Sequence, residues 1–239
     1  MPQLILIRHG ESEWNRDNRF TGWADVGLTE RGRIDMQAAG ALLRKEGLLI
    51  DLAFTSLLSR CIVSQWALLE GMQRVWVPTV LDWRLNERHY GALTGLSKTE
   101  AINTFGAQAV QQWRRSFLVP PPLGNGDGGN HAIVDARYNA LKAEEIPQGE
   151  SLAQVVERVR PLWETTIAAS LRAGKRVAIT GHGNSLRALM KLISHIADDD
   201  ITQVEVPNAV PMIYDLDNSL EVIRAFRLGI EPTPPSEIL

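Results

Sequence analysis

Two short apolar runs that stop in the same way constrain the fold most. Leu4-Ile5-Leu6-Ile7 ends at Arg8-His9-Gly10, and Val177-Ala178-Ile179-Thr180 ends at Gly181-His182-Gly183. Unbroken apolar runs of this length suit strands covered on both faces, the habit of parallel sheets in α/β proteins. Asp51 to Thr55 is a further strand candidate. Val75 to Val80 is another, but it contains Pro78 and is expected at an edge or as an irregular strand. Pro211 to Leu216 and Leu220 to Phe226 flank Asp217-Asn218 and are expected to pair antiparallel.

Helical patterns separate these runs. Thr29 is placed to cap a helix reaching about Glu46, and Ser56 one reaching about Glu70. Ser151 with Gln154 fits a capping box, after which Leu152, Val155, Val156, Val159, Leu162, Trp163, Ile167 and Leu171 keep helical spacing. Leu186, Leu189, Met190, Ile193 and Ile196 keep it too. Strands alternating with helices predict an α/β fold, a three-layer α/β/α domain with a mainly parallel sheet. Ser116 to Asn130 carries three Pro and four Gly and suits no regular element. The expected organisation is one domain over residues 1–239, with a long insertion at about 82–150 lying over the strand C-terminal ends.

Composition narrows the function classes. The charge balance is 25 basic against 28 acidic residues, which argues against a broad cationic surface for nucleic acid or anionic lipid. It leaves room for a small basic pocket. The one cysteine, Cys61, excludes an internal disulfide framework and a zinc site built of cysteines. The Leu4–Ile7 run is too short for a signal-peptide core, and no stretch approaches the ~20 apolar residues of a membrane span. A cytoplasmic location is expected.

His9 follows a buried strand and precedes Gly10, and His182 stands between Gly181 and Gly183 after another. Ligands of open α/β sheets lie beyond the strand carboxyl ends. If the two strands are neighbours, both imidazoles face one pocket, and Arg8 beside His9 suits an anion there. Without neighbouring strands they are two unrelated turn histidines.

Longer stretches carry more. Leu6 to Ser12, Asn15 to Trp23, Thr55-Ser56 with Arg60, Leu85 to Gly95 (LNERHYGALTG), Lys98, Gln112 to Arg115 and Gly181 to Leu189 (GHGNSLRAL) occur in this order. Together they resemble the cofactor-dependent phosphoglycerate mutases, a branch of the histidine phosphatase superfamily. The resemblance runs from the N-terminus to about Gly229. It implies His9 as a nucleophile carrying a phosphoryl group, with nearby Arg8 and Arg60 keeping its imidazole neutral and a backbone carbonyl holding one ring N–H. Arg8, Arg60 and His182, the last best as imidazolium, would clamp the transferring group, helped by Asn15 and the backbone of Gly183. Glu87 matches the family's general acid/base. Arg114, Arg115, Lys98, Arg88 and Tyr90 would complete the substrate site, with Ser12, Thr21, Gly22 and Asn184. The implied reaction is the interconversion of 3-phosphoglycerate and 2-phosphoglycerate in glycolysis and gluconeogenesis, primed by 2,3-bisphosphoglycerate and needing no metal. The implied partners are small-molecule phosphoglycerates, with neither nucleic acid nor membrane. A homodimer or homotetramer is expected by analogy.

His89 is expected to support its loop, His131 and His195 to be structural or superficial, and Cys61 to pack. The resemblance also has a departure. The final stretch, Gly229 to Leu239, carries three prolines where relatives have a polar tail that closes the site, so more leakage of the phosphoryl group to water is expected. Two other readings stay open: a phosphatase or bisphosphoglycerate synthase of the same superfamily, and a non-catalytic binding module. Ser12, where synthases tend to have glycine, and the 82–150 insertion favour the mutase.

Overall fold

The computed structural model describes residues 1–124 and 135–229. In chain order the elements are β1 (Gln3–Arg8), α1 (Glu13–Arg16), α2 (Glu30–Lys45), β2 (Leu52–Thr55), α3 (Ser59–Gly71), β3 (Thr79–Leu81), α4 (Lys98–Phe105), α5 (Ala107–Arg115), α6 (Leu152–Leu162), α7 (Ala168–Arg172), β4 (Val177–Gly181), α8 (Gly183–Ser194), α9 (Asp198–Ile201), β5 (Met212–Leu216) and β6 (Val222–Arg227). One sheet runs β3-β2-β4-β1-β5-β6. β3, β2, β4 and β1 are mutually parallel, and β5 and β6 add antiparallel to the β1 edge.

Each apolar run feeds two cores because successive side chains point to opposite faces. In β1, Leu4 and Leu6 join the core that α6 and α8 cover, with Val159, Leu186 and Leu189. Ile5 and Ile7 join the opposite core with Met36 and Leu43 of α2 and Leu68 of α3. The result is the expected three-layer α/β/α arrangement.

The register sets up the site. β1 lies beside β4, with Arg8 opposite Gly181, so the turns carrying His9 and His182 emerge side by side. The His9 amide donates to Gly181 O at 3.0 Å. The turn after His9 needs glycine: a Cβ on Gly10 would lie 2.2 Å from Gly32 O at the start of α2.

Thr29 caps α2 and Ser151 caps α6 as the sequence predicts. Ser56 does not cap α3. That helix starts at Ser59, its N-cap position is Leu58, and Ser56 Oγ accepts from the Leu58 amide beside His182. The expected strand at Val75–Val80 starts only at Thr79, because Pro78 cannot donate to a ladder. The helix from Ser151 continues to Arg172 through a π-helical turn at Trp163–Ile167, which begins two residues after Pro161, whose ring removes one helical N–H.

The insertion supplies α4, α5 and short 3-10 turns, including Trp83–Leu85 and Gly91–Leu93. Leu93, Ala101 and Val110 pack with Phe20 in a small core of their own. Among the described residues, no helix is long and apolar enough to cross a membrane. His131, the last part of the Ser116–Asn130 stretch, and the tail beyond Gly229 lie outside the described residues.

Candidate active site

At the carboxyl ends of β1 and β4 the His9 and His182 rings lie 5.0 Å apart at 64°. His9 is buried, and its Nδ1 sits 2.6 Å from Gly10 O. A carbonyl can only accept, so Nδ1 carries the proton and Nε2 keeps its lone pair. Burial, then the charges of Arg60 and Arg8, hold His9 well below the usual imidazole range, against the opposing pull of the Gly10 carbonyl. The base is therefore neutral near pH 7.

His182 is fully buried, with Nε2 2.9 Å from Ser56 Oγ and 3.2 Å from Cys61 Sγ. Its Nδ1 is buried without a hydrogen-bond partner among the described residues. The imidazolium expected from the sequence is not what this setting favours. Burial first, then Arg60, His9 and Arg8, push His182 well below its ordinary range. Only an anion brought into the site would reverse that balance. Cys61 is buried under this turn, its thiol pushed up to about 12 by burial, which leaves no thiolate.

A cleft of about 260 Å³ opens over His9, lined among the described residues by eight cationic side chains and two carboxylates, Glu87 and Glu205. Of the expected residues, Arg8, His9, Asn15, Thr21, Arg60, Glu87, Arg88, Tyr90, Lys98, Arg114, Arg115, Gly183 and Asn184 line it. His182 lies behind His9, outside that lining. Gly22 supports from outside: its carbonyl accepts from Arg60 Nη2 at 2.7 Å, while Ala24 O takes Nη1 at 2.8 Å. Ser12, expected as a substrate contact, is fully buried and instead caps α1, its Oγ accepting from the Asn15 amide. Four-residue α1 needs that cap because its first N–H groups have no partner within the helix.

The insertion is tied to the helix that carries Gly183. Glu87 Oε1 accepts from the Arg88 amide (2.7 Å), the Asn184 amide (3.2 Å) and Asn184 Nδ2 (2.9 Å). Oε2 has no hydrogen bond among the described residues, and lies 3.8 Å from where a Cβ on Gly183 would stand. Asn184 Nδ2 also donates to Tyr90 Oη at 3.1 Å. Arg88 is buried, stacked 4.8 Å from the Tyr90 ring centre, and donates to Trp113 O in α5.

Behind Glu87 stands a buried ion pair absent from the sequence reading. Arg158 of α6 meets both Glu150 oxygens at 2.7 and 2.9 Å and donates to the carbonyls of Arg84, Asn86 and Glu87. His89 supports this loop: its amide donates to Glu150 Oε2, and its Nδ1 accepts from the Gly91 amide. His195 is far from the cleft, exposed at the end of α8 and 3.6 Å from Glu221.

Five of the eight cations fall into two sets by the elements that carry them: Arg8 of β1 and Arg60 of α3, and Lys98, Arg114 and Arg115 of α4 and α5. His9 feels Arg60 and Arg8, whereas Lys98, lowered first by burial, feels Arg114, Arg8 and Arg115. Arg8 acts on both. Sequence reasoning missed four lining residues: Arg19, Phe20, Arg187 and Glu205. Arg187 stands four residues after Gly183, on the same face of α8, and that spacing could have found it. Glu205 has no such signal. Among the described residues, no three of His, Cys, Asp or Glu are grouped to hold a metal ion.

The histidine phosphatase superfamily (branch 1) model matches residues 4–140 and 128–228. The chain belongs to that superfamily. Solved structures share the superfamily member's fold at low identity. A mycobacterial glucosyl-3-phosphoglycerate phosphatase, solved with VO3, is 24% identical with a TM-score of 0.70, covering 90% of this chain and 93% of its own. A protein described as mycobacterial hydrolase 1 is 22% identical with a TM-score of 0.70, covering 95% and 97%. YhfR of Bacillus stearothermophilus is 24% identical with a TM-score of 0.68, covering 90% and 91%. For this superfamily member, the likeness to all three is one of fold.

Proposed function

We propose that this enzyme moves the phosphoryl group of a phosphoglycerate through Nε2 of His9. The observation that carries the reading is the two-part charge of the cleft: Arg8 and Arg60 at His9, and Lys98, Arg114 and Arg115 from α4 and α5. One phosphate needs only the first part. A substrate with a second anionic group uses both.

In the forward step the Nε2 lone pair forms the N–P bond as the ester P–O bond breaks. The leaving oxygen takes a proton from the Glu87 carboxyl group at Oε2. In the return step an acceptor hydroxyl gives its proton back to Oε2 as it attacks phosphorus, and His9 leaves neutral. Arg8 and Arg60 carry the charge that develops on the transferring oxygens, and His182 joins them once the bound anion has raised it to the imidazolium. When the acceptor is the other hydroxyl of the same glycerate, the enzyme is a mutase. 2,3-Bisphosphoglycerate would then supply the first phosphoryl group to His9. The cleft suits such a polyanion, since the buried Nε atoms of Arg8 and Arg88 have no hydrogen-bond partner among the described residues.

When the acceptor is water the enzyme is a phosphatase. The names of its fold relatives, a glucosyl-3-phosphoglycerate phosphatase and a hydrolase, favour this second reading. The two readings share every residue named above and differ in the acceptor alone.

One experiment separates them: incubation with 3-phosphoglycerate, with and without trace 2,3-bisphosphoglycerate and with EDTA, followed by separation of products. Primer-dependent 2-phosphoglycerate, insensitive to EDTA, supports the mutase. Glycerate and orthophosphate without isomer overturn it in favour of the phosphatase. Neither product overturns phosphoglycerate as the substrate class.

A further inference from the structure

Residues Thr202 to Val206, between α9 and β5, form an alternating strip. Thr202, Val204 and Val206 are buried, while Gln203 and Glu205 are exposed. The carbonyls of the three buried positions hold three cleft arginines: Thr202 O takes Arg115 (3.1 Å), Val204 O takes Arg187 (2.8 Å) and Val206 O takes Arg8 (3.0 Å). Three guanidinium groups thus hang from one short length of backbone.

Glu205, between two of these anchor points, lines the cleft itself. Its Oε1 stands 3.5 Å from Arg115 Nη2, and its charge also acts on Arg187. The side chain is 70% exposed and makes no other hydrogen bond among the described residues. It caps no helix and closes no core. A carboxylate in a cleft otherwise rich in cations weakens anion binding there, and nothing in the packing around Glu205 requires one.

We propose that Glu205 is a specificity-determining residue that grades ligands by the charge of their second anionic group. It holds Arg115 while the Lys98–Arg114–Arg115 group is empty, and it opposes an incoming phosphate more than an incoming carboxylate. The inference rests on the reading that this group of cations takes the substrate's second anion. The physical reason is Coulomb repulsion that scales with ligand charge: near −2 for a phosphate, −1 for a carboxylate. A ligand with two phosphates is therefore released sooner than one with a phosphate and a carboxylate. Repulsion between partly exposed groups is screened by salt, so the discrimination fades as ionic strength rises.

The test is equilibrium titration of the full-length chain in a His9→Ala background, where no phosphoryl group can move. The probes are orthophosphate, 3-phosphoglycerate and 2,3-bisphosphoglycerate, at low and at high salt. Glu205→Gln is expected to tighten 2,3-bisphosphoglycerate about 10-fold and 3-phosphoglycerate about 3-fold, because the repulsion energy doubles when a phosphate rather than a carboxylate faces Glu205. Orthophosphate should stay within about 2-fold, and the gains should shrink in high salt. Arg115→Gln tests the underlying reading separately: it should weaken both phosphoglycerates and spare orthophosphate. If Arg115→Gln behaves so and Glu205→Gln tightens nothing, or tightens all three probes equally, Glu205 is no selector. If Arg115→Gln leaves every probe unchanged, the second-anion reading fails instead. An unchanged thermal unfolding midpoint in Glu205→Gln excludes a structural origin for any gain.

Discussion

His9 and His182 stand edge to face, 5.0 Å between ring centres, with His9 Nδ1 pinned to Gly10 O and Nε2 left as the only basic nitrogen. His9→Ala should therefore abolish an acid-labile phosphoenzyme outright. His182→Ala should still form it, more slowly by about 10²–10³, the usual loss for one stabilising donor. Labelling with a ³²P-phosphorylated substrate, quenched in alkaline detergent and confirmed by loss of the label on acid treatment, reads both. Label retained in the His9 variant would move the nucleophile elsewhere.

The same two histidines make stability depend on pH. Both have folded-state pKa values below the unfolded one, so the folded chain binds fewer protons at mildly acidic pH. Stability is then lost as pH falls from about 6.5, at about 1.4 kcal/mol per pH unit for each histidine until it protonates. Urea unfolding at several pH values should show this slope, and His182→Gln should lower it. Orthophosphate should flatten it too, because a bound anion raises both pKa values. A stability unchanged between pH 7.5 and 5.5 would contradict this account.

The Arg158–Glu150 pair is buried on both sides and holds the loop that presents Glu87. Arg158→Met leaves Glu150 charged and unpaired in the interior, at an expected cost of about 3–5 kcal/mol. At this chain size that is a fall of about 6–20 °C in unfolding midpoint. Activity at a temperature where the variant remains folded should fall as well, through kcat more than KM, since Glu87 rather than the anion site is displaced. A variant with full kcat would show that Glu87 does not depend on this support.

Ala209 carries φ +56, and its amide donates to Arg8 O, fixing the end of β1. An L side chain in that region costs about 1–2 kcal/mol, part of which glycine returns as extra freedom of the unfolded chain. Ala209→Gly should raise stability by about 0.5–1 kcal/mol and leave the reaction unchanged. Calorimetry settles it, and a lower midpoint would mean the strained turn is held by its side chain.

The sheet and the heart of the cleft were legible because local signals coincide there. An apolar run ending in Arg8-His9-Gly10 states both a buried strand and the chemistry at its tip. Ser151 with Gln154 states a helix start. Ser56 misled because a hydroxyl two residues before an amide satisfies it without starting a helix. Ser12 misled because the resemblance marked it for substrate while local geometry spends it on a cap. Arg158 gave no warning, since the partners it needs lie eight residues back and on a loop some seventy residues earlier. The strip at 202–206 acts through its carbonyls, which every sequence possesses.

That strip divides what can vary from what cannot. Because main-chain oxygen atoms anchor Arg8, Arg115 and Arg187, replacing Gln203 or Glu205 leaves those three carbonyl anchors in place. Selection can therefore retune the rim of the cleft one outward residue at a time, while the positive frame beneath keeps its shape.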